Sequence, residues 1–223
     1  DGPTLLHMAA NRDDPQLMEA VLDGGNFGRA PETLNSRRQT ALTLACATSS
    51  ECAWLLAKRL SWSERTEELH TPLYMVCRFW GNEDGENASA TEHARRRELF
   101  DLVLQHQPHT ISRRCRGRAP IHAAACSHAV RALLASKADP NMLTAPDVDG
   151  GFAPSRHVYK QRVRYLGGET PLHSSIARPS VVKALLAGGA DCSVPVPASC
   201  REEEAEAEAA TGGEGAREQR GEE

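Results

Sequence analysis

Cys115, His122, Cys126 and His128 lie close together in the chain, and thiolates and imidazoles are the usual ligands of zinc. The two cysteines form no Cys-x-x-Cys pair, and His122 belongs to a phrase that the chain repeats, so a metal site is not expected. His7 and His173 stand at the same place in that phrase. A histidine that recurs with a repeat is read as a structural residue, not as a general base or a ligand. No nucleophile elbow, phosphate-binding loop or dinucleotide fingerprint is present, and Asp149-Gly150-Gly151 and Gly167-Gly168 read as turn glycines. The residues therefore predict no catalytic site, no cofactor and no metal. What remains is charged and aromatic surface. Arg113, Arg114, Arg116 and Arg118 form the densest basic run, which is either a solvated loop or a contact for an acidic partner. Arg156, Lys160, Arg162 and Arg164 form a second one. Arg78-Phe79-Trp80 combines residue types enriched at binding hot spots; a tryptophan tucked beneath the polar stretch that follows is the equal alternative.

The elements that would carry these residues come from a phrase used five times. Thr4-Leu5-Leu6-His7-Met8-Ala9-Ala10 returns as Thr40-Ala41-Leu42-Thr43-Leu44-Ala45-Cys46 and as Thr71-Pro72-Leu73-Tyr74-Met75-Val76-Cys77. It returns again as Ala119-Pro120-Ile121-His122-Ala123-Ala124-Ala125 and as Thr170-Pro171-Leu172-His173-Ser174-Ser175. Threonine before proline predicts a helix start: the hydroxyl caps free N–H groups, and proline's fixed φ suits the first helical position. The small residues that follow let this helix lie close to its neighbours. A second stretch then spaces Leu and Val by three and four residues, as a buried helical stripe does, in Val130-Arg131-Ala132-Leu133-Leu134 and Val181-Val182-Lys183-Ala184-Leu185-Leu186. Gly24-Gly25 and Gly188-Gly189 follow the stripe where a helix end favours a left-handed residue. No such unit can bury its apolar face alone, so neighbours must stack.

Both halves, in this order, resemble the ankyrin repeat, whose signature is Thr-Pro-Leu-His-x-Ala in a unit of about 33 residues. The resemblance spans about residues 1–194 and implies an all-α solenoid of five helix-turn-helix units with finger loops. The units are expected near 1–33, 37–66, 68–112, 116–145 and 167–194. It also implies that the motif histidine bonds backbone of the neighbouring unit, and that Thr43 and Tyr74, which replace it, leave a weaker network in units two and three. Leu55-Leu56 arrives early, so unit two reads as shortened between its helices. Polar insertions are expected near 81–92 and 146–167. In the second, Val158, Lys160, Arg162 and Arg164 alternate with Tyr159, Gln161, Val163 and Tyr165, which predicts an elongated finger hairpin; a disordered excursion is the alternative.

Composition agrees with an elongated repeat array. Of 223 residues 40% are hydrophobic but only 4% aromatic, which suits cores of Leu, Val and Ala. No stretch approaches the roughly 20 apolar residues of a membrane helix, so no membrane insertion is expected. Seven cysteines without a disulfide-like framework point to a reducing, cytoplasmic setting, with the nucleus as the other intracellular choice. Residues 195–223 are predicted to be an acidic, disordered tail; 201–223 carries nine Glu and three Arg, a net −6 within a total of −4. The function expected from the resemblance is non-catalytic recognition of another protein through the concave face and fingers. The alternative is the targeting region of a larger enzyme, a ubiquitin ligase or kinase, whose catalytic domain lies elsewhere. The partner is expected to be a protein with an acidic segment, for which the tail would compete from within the chain. Nucleic acid is a weaker candidate, because the array's net charge is small and the tail would oppose phosphate.

Overall fold

The computed structural model describes residues 3–24, 32–59, 70–79, 89–146 and 167–195. Trp62, Trp80, the basic run Arg156, Lys160, Arg162 and Arg164, and the acidic tail lie outside the described residues. Within them the fold is all-α, in helix pairs: α1 (Leu5–Arg12) with α2 (Pro15–Asp23), α3 (Ala41–Thr48) with α4 (Ser50–Arg59), and α5 (Pro72–Phe79) with α6 (Ala90–His106). A 3₁₀ turn at Pro108–Thr110 leads to α7 (Pro120–Ala123) with α8 (Ser127–Ala135), then α9 (Pro171–Ser174) with α10 (Pro179–Ala187).

The predicted helix starts are where the hydroxyls act. Thr4, Thr40, Thr71 and Thr170 each accept from the backbone N–H three residues on, at 3.5, 3.2, 3.2 and 3.4 Å. His7 and His173 return the bond, their Nδ1 accepting from the threonine N–H at 3.2 and 3.1 Å. Two of the free donors at each of these two helix starts thereby gain a partner. Ala119 has no hydroxyl to offer; there His122 Nδ1 alone accepts, from Ala119 N–H at 3.2 Å. One left-handed helix end falls on Gly189 (φ 87) and another on Lys137 (φ 68); of the pair Gly24-Gly25, Gly24 is right-handed at φ −62 and Gly25 lies outside the described residues.

Stacking makes two rows. The first helices α1, α3, α5, α7 and α9 each pack on the next, and so do α2, α4 and α6, and α8 and α10, in the second row. Between α6 and α8 the ring of Phe100 packs edge-on against His128, centroids 6.0 Å apart. The leucine stripe fills the space between the rows: Met18, Leu56, Leu99, Val103, Leu133 and Leu185 have no appreciable exposure, and one apolar cluster runs from Leu6 to Leu185. The small positions of the first helices, Ala9, Ala10, Ala45, Cys46 and Ala124, are closed to solvent, which is what lets adjacent helices approach. The six described cysteines are all free.

Units are tied to one another by backbone as well as by apolar contact. His7 Nε2 donates to Gln39 O at 3.0 Å, and His122 Nε2 to Met142 O at 2.8 Å, both on the loop entering the next unit. Thr43 pairs its hydroxyl with that of Thr40 at 3.0 Å. Between units two and three the second-row helices carry a clasp of their own. Trp54 Nε1 donates to Glu98 at 2.8 Å, Lys58 and Arg95 lie over the indole ring, and both cations also pair with carboxylates. Only Ser49 separates α3 from α4, as the early Leu55-Leu56 implied. The polar insertion expected to reach residue 92 ends sooner, because the Ser89 hydroxyl caps α6 at Glu92 N–H (3.2 Å) and helix resumes at Ala90.

Burial lowers the pKa of His7 and of His122 below the ordinary 6.5, against hydrogen bonds that raise it. The unfolded chain therefore binds these protons near pH 6.5 while the folded chain resists them. Their contribution to stability is complete above pH 6.5 and is lost as pH falls below it. The urea midpoint should drop between pH 7.5 and 5.5, and the drop should shrink in a His7→Gln/His122→Gln double variant. An identical slope in that variant would assign the acid sensitivity to other groups.

Candidate protein-binding groove

Four arginines from three consecutive units open on one groove of about 360 Å³, in company with Tyr74, His122, Ala123 and Ser174. Tyr74 and Arg78 lie one turn apart on α5, so both point to the same side. Tyr74 is buried and its hydroxyl meets the Arg78 guanidinium. Burial pushes the phenol pKa up despite the nearby cations of Arg78 and Arg118, so the hydroxyl keeps its proton and can donate.

Arg116 and Arg118 reach the groove from a two-residue hairpin turn. Cys115 and Arg118 exchange both backbone bonds, at 2.8 and 3.2 Å, and the two residues between have φ 52 and 76. Two successive positive φ angles define the tight turn that suits twisted hairpins, for which Asn-Gly is the usual pair; here it is Arg116-Gly117. The turn is fixed from behind, since Ala145 N–H bonds Gly117 O at 2.8 Å and Arg114 Nη2 donates to Leu143 O at 3.0 Å. Arg118 also pairs with Glu169 at 3.2 Å, and the Ser174 hydroxyl donates to the same carboxylate oxygen at 3.2 Å.

Arg178 enters from the far side, at the residue preceding α10. Its Nη1 donates to Ala124 O at 3.3 Å, which ties the fifth unit to the end of α7. His122 lines the groove but is committed: its Nδ1 accepts from Ala119 N–H and its Nε2 donates to Met142 O. It therefore contributes neither a base nor a positive charge at neutral pH. A larger cavity of about 610 Å³, at the turn between α1 and α2, has the opposite character, with Asp13, Asp14, Glu19 and Glu51 around Arg12. Among the described residues no three of His, Cys, Asp or Glu are placed to hold a metal ion. Of the sequence candidates for zinc, Cys115 is buried with its Sγ 3.9 Å from the Thr71 hydroxyl, and Cys126 Sγ caps α8 at Ala129 N–H (3.3 Å).

The groove unites Arg78, Arg116 and Arg118 from the sequence candidates. Phe79 stands outside it, 48% exposed with the Arg78 guanidinium over its ring at 5.3 Å. Arg114 is exposed and Arg113 is half-buried. Tyr74, Ser174 and Arg178 were not among those candidates. The signal for Tyr74 was a phenol at a motif-histidine position, and that for Arg178 a cation before a proline helix start, where a hydroxyl would be usual.

The family model of the ankyrin repeat matches residues 116–145, the unit built from α7 and α8. The same helix, turn and second helix recur along the described chain. Ankyrin repeats generally mediate binding between proteins. The crystal structure of the human ASB11 ankyrin repeat domain is similar at 17% identity, over 85% of this chain and 86% of that one, with a TM-score of 0.36. No curated protein sequence matches the chain significantly. Among the described residues no helix is long and apolar enough to cross a membrane.

Proposed function

We propose that this chain is a non-catalytic interaction module that holds an acidic segment of a partner protein in the arginine groove of units three to five. One observation carries the reading: Arg78, Arg116, Arg118 and Arg178, from three consecutive units, line one groove. Opposite charge of this density steers an acidic chain to the site and fixes its register. In the same reading the chain divides into the five units given above. Its acidic residues 201–223, net −6, compete for the groove from within, and its free cysteines suit the reducing cytoplasm.

Fluorescence anisotropy with a labelled ten-residue glutamate peptide tests it, on the full chain and on one ending at residue 200. Arg78→Glu with Arg178→Glu should weaken binding by about tenfold or more at low salt, and the difference should shrink at high salt. Arg37→Glu, at an exposed position in unit two, should change little. Equal weakening by Arg37→Glu would reduce the effect to overall charge and remove the groove from the account. A DNA duplex that bound more tightly than the peptide would overturn the choice of partner.

A further inference from the structure

We propose that the outer flank of unit one is a second interaction surface. Its occupant is an amphipathic helix of a separate partner protein, with alanine-sized residues along one face and Lys or Arg in its last turn. Leu5 and Met8 are 61% and 44% exposed on α1. In the later units the place of Leu5 is held by Ala41, Pro72, Pro120 and Pro171, all buried, and that of Met8 by Leu44 and Met75 in units two and three, also buried. The second helix repeats the contrast: Val21 is half-buried, while its counterparts Leu133 and Leu185 are closed to solvent. What those units have and unit one lacks, among the described residues, is a preceding unit. At these positions the flank therefore has the character of an internal seam, not of the polar face on which a stack ends.

The seams inside the stack define what fits. The earlier first helix brings small, fully buried residues, Ala9 and Ala10 where α1 meets α3, Ala45 and Cys46 where α3 meets α5. A helix that covers Leu5 and Met8 as closely needs alanine-sized residues in the same place. Charge defines its other end. Leu5, Met8 and Arg12 fall at i, i+3 and i+7 and share one face of α1. Arg12 lines the cavity of about 610 Å³ together with Asp13, Asp14, Glu19 and Glu51. Asp14 also caps α2 at Leu17 N–H (2.9 Å), Glu51 pairs with Arg95 at 3.3 Å, and Asp13 and Glu19 are exposed. A helix laid along α1 in the same direction brings its C-terminal turn to this cavity. Lys or Arg there faces carboxylates and suits the negative end of its own helix. The chain's own pieces do not meet these terms. Residues 201–223 carry a net −6. The far end of a second copy presents Ile176, 82% exposed, at the place that Ala10, Cys46 and Cys77 fill in other units, and so holds a neighbouring helix away. A copy turned face to face would set the start of its own α1, Pro3-Thr4-Leu5, at the cavity, and these three residues carry no cation.

The test is isothermal titration of the full chain with two sixteen-residue helical peptides. Both carry alanine along one face; one ends in two lysines and the other in two glutamates. The lysine peptide should bind roughly tenfold more tightly than the glutamate peptide at low salt, and the gap should close at high salt. Leu5→Asp with Met8→Asp should abolish binding of the lysine peptide at unchanged melting temperature, because both side chains already stand in water. Glu19→Gln should weaken the lysine peptide several-fold. Arg78→Glu, in the arginine groove, should have no effect. Failure of both peptides to bind, equal affinity for the two, or binding that survives the Leu5/Met8 change overturns the proposal, and none of these outcomes touches the arginine groove. Sedimentation equilibrium should find the chain monomeric. A dimer that Leu5→Asp dissolved would assign the flank to a second copy and overturn the proposal as well.

Discussion

Gly117→Ala should destabilise the protein by about 2–5 kcal/mol, through conformational strain and overpacking together. Gly117 has φ 76, and a Cβ there would stand 2.0 Å from the carbonyl oxygen of Ala145 and 3.0 Å from its carbon. Both are backbone atoms, held by the Ala145 N–H bond to Gly117 O, so neither can rotate aside. Gly189→Ala separates the two causes. Its φ is 87, but an added Cβ would meet nothing within 4 Å. That variant should lose only the conformational part, about 1–2 kcal/mol. Urea denaturation of both measures the difference. Equal losses would mean that the finger base relaxes freely around residue 117. Because the same turn delivers Arg116 and Arg118, Gly117→Ala should also weaken decaglutamate binding, whereas Gly189→Ala should not.

Leu56→Ala should cost about 2–5 kcal/mol by leaving a cavity in the middle of the stack. Leu56 is fully buried on α4, which packs against α2, α3 and α6 at once, so collapse from any one side is limited. Leu186→Ala, at a position 45% exposed on α10, should lose under about 1 kcal/mol. The distribution of the damage is as informative as its size. In a stack each unit touches only its neighbours, so hydrogen exchange should rise in α2, α4 and α6 while amides of α10 keep their protection. Uniform acceleration across α2 to α10 would show that the array opens as one block.

What could be read from the chain alone was whatever depends on nearby residues. The threonine-proline starts, the small first helices and the leucine stripe are patterns within a dozen residues, and Thr40, Thr71 and Thr170 cap where that pattern puts them. The histidine bridge followed from the family resemblance, and His7 and His122 make it. The groove was legible only in pieces. Arg78 and Arg118 were visible as local basic and aromatic runs, but Arg178 joins them from 60 residues further along, through the stacking of three units. The Trp54–Glu98 clasp was hidden for the same reason, its partners being 44 residues apart.

The finger base between units four and five bears on how much the chain can vary. Thr144 N–H bonds Glu169 O at 2.8 Å, Gly168 N–H bonds Thr144 O at 2.9 Å, and a Cβ on Gly167 would lie 2.8 Å from the Pro146 nitrogen. The main chain thus departs at Pro146 and comes back at Gly167 through a doorway a few ångströms wide. Whatever length lies between, the helices on either side are already joined, so lengthening it alters only closure entropy, by about 0.6 kcal/mol per doubling. Such a doorway lets related sequences trade, shorten or graft the intervening residues almost independently of the stack, and makes this seam the natural place to splice in a reporter domain or a new recognition loop.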